Sequence, residues 1–370
     1  MPSATTVAPS TPAARPTRVA PSPALPPDPL AGWSLEQKVG QLFMVGVDVQ
    51  DPGRVGYDAV RNLHVGNIFL AGRTLSGQRH VKDLVDRYSH LVSPQTTNST
   101  RLLVATDQEG GQVQVLRGPG FSILPSALAQ SGLAPRALQV RASAWGAELA
   151  DAGVNLDLAP VMDLVPSAAD AATNPPIGRL ARNYGFTLHD VTSHANAFSA
   201  GMASAGVDVA LKHFPGLGAV TANTDSTAGV TDLTTTRNSS AVAAFRSGID
   251  AGAAFVMTST VVYAKIDPAG PAAFSPVVVE NLLRGDLGFR GVILTDDLSA
   301  ATQVLAWPPA ERAVKAIDAG GDMVLVSRDP TALPGMVAAV VDRARTDAGF
   351  AKKVDAAVLR VLAVKTGLAH

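Results

Sequence analysis

Eight short runs of mostly apolar residues recur along the chain, each bounded by turn residues, with helix-like segments between them. The runs fall at residues 41–47, 67–70, 102–107, 154–163, 207–213, 255–260, 291–296 and 322–327. Helical patterns are read at residues 34–40, 78–92, 134–152, 187–205, 239–251, 276–286, 309–319 and 330–346. Strands that alternate with helices pair in parallel, because each crossover helix returns the chain to the same end of the sheet. The expected fold is therefore α/β, a (β/α)8 TIM-like barrel forming a single domain over residues 28–370, with insertions beyond the usual size of about 250 residues. An open doubly wound sheet is the competing arrangement. Its first strand would end in a glycine-rich phosphate turn, and Val45-Gly46-Val47-Asp48 lacks the GxGxxG spacing.

A barrel also demands that functional groups sit at the carboxyl ends of its strands. Asp107 closes the third run, Asp163 the fourth, Lys212 and His213 the fifth, and Asp296 with Asp297 the seventh. A single such Asp could cap the following helix. Repetition on separate buried strands is harder to explain by packing, because an unpaired buried charge costs several kcal/mol. The fifth run is the most informative. It delivers a cation and an imidazole just before the Pro215-Gly216 turn, which places two hydrogen-bonding side chains on a rigid base beside a loop. Taken alone, Lys212 could be a solvated strand end and His213 a satisfied core histidine.

Composition narrows the partners. The 30 basic and 31 acidic residues nearly cancel, so no basic excess points to nucleic acid. The absence of cysteine removes disulfides, thiolate nucleophiles and cysteine metal sites. The seven histidines show no HExxH or paired-ligand spacing, so neither metal nor other cofactor is expected. His189 and His194 are expected on the solvated side of a helix. Residues 1–27 are built largely from Pro, Ala, Ser and Thr and are expected to be a disordered linker. A secretion or lipid-anchor signal removed ahead of this numbering would make the linker a membrane tether and the protein secreted or bound to the cell envelope. The alternatives are a plain disordered tail and a cytoplasmic protein. A monomer is expected.

The stretch Lys212-His213-Phe214-Pro215-Gly216-Leu217-Gly218, with Asp225-Ser226-Thr227 beyond it, resembles the KHFPGHG…DSH signature of family 3 glycoside hydrolases, in particular their bacterial β-N-acetylglucosaminidases. Ala105 to Val113 is similar to the family's DQEGGRV, with Gln112 in place of its arginine. Ala159-Pro160-Val161-Met162-Asp163, Asn174 to Gly178 and Arg182 to Gly185 look like APVxD…NPxIGxRxFG. Gly288 to Leu298 resembles the strand that carries the catalytic aspartate. The resemblance implies a hydrolase acting on β-linked N-acetylglucosamine or a related hexoside, with peptidoglycan fragments as the expected source. It also implies roles: Asp296 as nucleophile, and Asp107, Arg182, Lys212 and His213 as binders of sugar. Asp297 is expected to be structural, and Asp163 to orient Lys212 or Arg182, since buried charges need partners.

One departure bears on mechanism. A histidine two residues after the loop aspartate serves the family branch as acid/base, and here Thr227 follows Asp225 at that spacing. A threonine hydroxyl cannot substitute, because a general acid should titrate near the working pH. Leu217 replaces the second histidine of the KHFPGHG segment as well. Three readings stay open. Asp225, or Asp232 from the same loop, could supply the acid/base; the enzyme could transfer sugars to an anionic acceptor such as phosphate, which needs no base; or the barrel could bind cell-wall fragments without turnover.

Overall fold

The computed structural model describes residues 2–3 and 29–367, so the linker expected over residues 1–27 lies, apart from Pro2 and Ser3, outside the described residues. From Gly32 onward the chain forms one compact unit. Its strands are β1 (Phe43–Asp48), β2 (Asn67–Ala71), β3 (Leu103–Thr106), β4 (Leu156–Asp157), β5 (Asp208–Phe214), β6 (Phe255–Thr258), β7 (Val292–Thr295) and β8 (Val324–Val326). All eight runs read from the sequence contain a strand.

The strands pair in parallel in the order β7-β6-β5-β4-β3-β2-β1-β8. A parallel bridge between Leu294 and Met323 joins the two ends of that order, with Thr295 N–H donating to Met323 O at 2.9 Å. The result is the expected barrel. Both faces of these strands are covered, which is why they read as near-continuous apolar runs. Every second residue turns inward, and Met44, Phe69, Leu103, Leu156, Leu294 and Leu325 pack into one buried cluster that fills the lumen.

Helix α1 (Leu35–Gly40) precedes the barrel and starts at a capping box made by Ser34 and Gln37. The crossovers are α2 (Val55–Asn62), α3 (Gln78–Ser89), α4 (Pro135–Asp151), α5 (Leu188–Ser204), α6 (Ser240–Asp250), α7 (Val277–Asp286, wound as a π-helix), α8 (Pro309–Asp318) and α9 (Leu333–Thr346). A final helix, α10 (Ala348–Lys365), follows. Neither α2 nor α10 is among the helices read from the sequence. The segment of α2 begins after Pro52-Gly53 and contains Gly56, all of which argue locally against a helix. Gly56 is there for packing: a Cβ would lie 2.7 Å from Val47 of β1.

Helix α10 closes the amino-terminal end of the barrel. Val361 and Val364 join the lumen cluster, and Arg360 pairs with Asp322 at 2.8 Å, at the entrance to β8. The buried Nζ of Lys365 donates to Gln41 Oε1 and Gly66 O, each at 2.7 Å. One end of the lumen is thereby plugged, leaving the carboxyl end to open to solvent.

Candidate active site

A cavity of ≈ 550 Å³ opens at the carboxyl ends of the strands, where a barrel is expected to carry its chemistry. Its lining includes Asp107, Arg182, Lys212, His213, Asp225 and Asp296. All six residues singled out from the sequence thus meet in one place. Asp107 follows β3, Lys212 and His213 lie on β5, and Asp296 follows β7. The Lys212–His213 peptide bond is cis.

A buried ionic cluster forms the floor. Lys212 Nζ lies 2.6 Å from Asp107 Oδ1 and 2.6 Å from Glu109 Oε1. Arg182 donates to both oxygens of Glu109, Nε at 2.8 Å and Nη2 at 2.7 Å, while Nη1 donates to Pro176 O at 2.7 Å. Glu109, 3% exposed, lies outside the cavity lining and behind the two cations. Burial alone would push its carboxyl upward; Arg182 and then Lys212 outweigh burial and hold it at about 2. It is therefore an anion at every working pH, and it fixes two cations that point their remaining donors at the cavity. The sequence reading passed over Glu109, although an acid two residues after Asp107 had to be paired if buried.

Asp157, at the end of β4, is fully buried, accepts from Gln108 N at 3.0 Å through Oδ1 and leaves Oδ2 without a partner. Burial pushes its pKa up to about 8, so it is neutral at pH 7.

Asp163 does not orient Lys212 or Arg182 as expected. It accepts from His213 Nδ1 at 2.8 Å and from the backbone N–H groups of His213 and Leu217, at 3.1 and 2.8 Å. The reason is local: β4 and β5 are neighbours, and the chain after β5 folds back over the end of β4. Gly218 allows that approach, since a Cβ there would lie 1.8 Å from Leu164 O. Asn174 fastens the same contact, donating to Leu217 O and Val220 O at 2.7 and 2.8 Å. The other ring nitrogen of His213 lies 3.4 Å from Arg182 Nη2.

The two aspartates after β7 have different surroundings. Asp297, also on the cavity lining, is 4% exposed and accepts from Ser299 Oγ, Ser327 N and Ala300 N at 2.6, 2.7 and 2.9 Å, bonds that tie it to the loops after β7 and β8. Among the described residues Asp296 accepts only from Asp297 N, at 2.8 Å, and it lines the cavity. Burial pushes its pKa up; His213 opposes this, the Asp225 carboxylate adds to it, and the result is about 6.

The loop after β5 separates the candidates for the acid/base. Asp225 has a side chain 44% exposed, lines the cavity and stands 3.7 Å from Arg328. Asp232 does not line the cavity: it is 1% exposed, and its oxygens accept from Thr234 N, Thr235 N and Thr235 Oγ1 at 2.6, 2.8 and 2.5 Å. Thr227 is exposed and does not line the cavity. His194, expected on a solvated face, is instead buried, with its ring nitrogens 2.8 and 3.0 Å from Asp190 O and Leu133 O. Gln112 stands on the cavity wall, where its carbonyl accepts from Arg73 at 2.8 Å.

A barrel with several carboxyl groups facing one cavity, Asp225 and Asp296 among them, and with cations and an imidazole beside them to take hydroxyl groups, has the site of a glycoside-cleaving enzyme. The chain belongs to glycosyl hydrolase family 3, matching its N-terminal domain over residues 34–364. It is 34% identical over 267 residues to a β-hexosaminidase of Methylococcus capsulatus, covering 70% of this chain and 76% of the other. A β-N-acetylhexosaminidase structure from Beutenbergia cavernae shares 58% identity with a TM-score of 0.89, covering 90% of this chain and 98% of that one. A family 3 β-N-acetylglucosaminidase structure from a Paenibacillus species shares 31% identity with a TM-score of 0.81, over 90% of this chain and 62% of that longer one.

Proposed function

We propose that the protein hydrolyses terminal β-linked N-acetylhexosaminides with retention of configuration, with Asp296 as nucleophile and Asp225 as acid/base. The observation that carries this reading is the placement of Asp225 and Asp296 on one cavity at the carboxyl ends of the strands. Ionised Asp296 attacks the anomeric carbon while Asp225 protonates the leaving oxygen. Water, activated by Asp225, then releases the sugar from Asp296. Asp107, Lys212, Arg182 and His213 hold the sugar hydroxyls, and Glu109, paired with both cations, fixes them from behind.

The names of the similar enzymes support N-acetylglucosamine as the terminal sugar. We take cell-wall fragments at the cell envelope as its setting, a reading supported by the Pro/Ala-rich composition of residues 1–27 and tested by release of N-acetylglucosamine from purified muropeptides. The activity itself is tested by release of an activated aryl group from its β-N-acetylglucosaminide, with Asp296→Asn run in parallel. Turnover that disappears in the variant is the expected result. Binding of the sugar without turnover in the parent protein would overturn the reading and leave a receptor for wall fragments.

A further inference from the structure

The loop that carries Asp225 is fastened to the loop that follows the nucleophile. Thr302 donates its N–H and its hydroxyl to Asp225 O, at 3.3 and 2.9 Å. Gln303 N–H donates to Thr224 O at 3.0 Å. The Gln303 side chain then pairs with both backbone groups of one residue: Nε2 donates to Val230 O at 3.0 Å, and Oε1 accepts from Val230 N at 2.8 Å. Gln303 is 6% exposed and Val230 5%, so water does not compete for these groups.

The fastening is itself anchored. Arg312 of α8, 4% exposed, donates to Leu298 O and Ser299 O at 2.8 Å each and to Trp307 O at 2.7 Å, which fixes the segment between Asp296 and α8 from behind. A primary amide suits the pairing because it offers one acceptor and a donor in the same plane, matching a backbone N–H and C=O as a neighbouring strand would. Two bonds to a single residue set orientation as well as position.

We propose that Gln303 is a positioning residue that holds the Asp225 loop in register with Asp296, and so sets the separation of the two reacting carboxyl groups. The inference rests on Asp225 being the acid/base. Displacing a catalytic group by about 1 Å costs on the order of 10²-fold in rate, and the loss should fall where the proton matters. Aryl leaving groups that need protonation should suffer; activated ones, which leave without it, should not.

The test compares the parent, Asp225→Ala and Gln303→Met on aryl β-N-acetylglucosaminides of graded leaving-group acidity. Expected is a loss of on the order of 10²-fold for Gln303→Met on the poorest leaving groups and a few-fold at most on the best, running parallel to Asp225→Ala. Uniform loss in Gln303→Met beside selective loss in Asp225→Ala would reduce Gln303 to a structural residue and overturn the inference alone. Uniform loss in Asp225→Ala would remove the acid/base assignment, and the inference with it. Gln303→Glu covers a Met variant that fails to fold: its carboxyl can make both bonds when protonated and only accept when ionised. Its activity relative to the parent should climb toward one as pH is lowered, and a ratio independent of pH would contradict the role.

Discussion

Glu109→Gln is expected to destabilise the barrel by breaking the buried ionic cluster. The side chain is buried and serves two cations, with both Arg182 nitrogens and the Lys212 ammonium within 2.8 Å. In the parent, two carboxylates, Asp107 and Glu109, balance Lys212 and Arg182; the variant leaves a buried positive charge uncompensated. The magnitude can be reached by two routes. Holding the carboxyl at about 2 rather than its ordinary 4.5 corresponds to roughly 3 kcal/mol. Removing one partner of a buried pair costs about 3–5 kcal/mol in measured cases. The carboxyl is depressed on folding, so its contribution is fully present above pH ~4.5 and disappears as pH falls through about 2. Urea unfolding at pH 7 is the assay, and the midpoint should fall by the equivalent of about 3–5 kcal/mol at unchanged slope. On acidification from pH ~4.5 toward 2 the gap to the parent should narrow. A loss below about 1 kcal/mol at pH 7 would refute the reasoning, since that is the scale of an exposed pair.

Three further outcomes are expected. Asp296 must be ionised to attack, so kcat/KM should rise with pH through an apparent value near 6; an acid limb centred near 4 in the pH profile would contradict the burial argument. Asp157 holds its proton to about pH 8 in the folded state, whereas the unfolded chain loses it near 4, so this residue lowers stability progressively as pH rises between those values. Asp157→Asn should abolish that slope and unfold at higher urea than the parent at pH 8, and parallel stability curves would count against it. Thr227→Ala should leave kcat/KM within about twofold, as for an exposed residue away from the cavity; a loss above tenfold, read by aryl release, would mean that the loop closes over substrate.

The barrel was legible because each strand is covered on both faces, and its apolar run is short, rich in β-branched residues and cut by turns. Helix α10 was equally legible in principle, with Phe350, Val354, Val358 and Val361 at helical spacing behind the Asp347 cap. It was passed over because eight strand and helix units already complete a barrel, and nothing in that pattern asks for a plug beneath it. Asp107, Lys212, His213 and Asp296 stand out as polar groups repeated at strand ends, whereas Arg182 and Asp225 are picked out only by the resemblance to the family. Partnerships were not legible. Glu109 meets Arg182 across 73 positions of sequence, and Asp163 meets His213 across 50, so their pairing depends on how neighbouring strands align. Asp225 and Asp232 look alike in sequence, and only the fold turns one to the cavity and the other inward.

Covalent trapping tests the two-carboxylate mechanism at its source. In Asp225→Ala, an activated aryl β-N-acetylglucosaminide should still glycosylate the nucleophile, while hydrolysis of the adduct, deprived of its base, is slow. Intact-protein mass spectrometry should show one added N-acetylhexosaminyl unit, and peptide mapping should place it on Asp296. Steady turnover with no adduct, or an adduct on any other residue, would contradict the assignment.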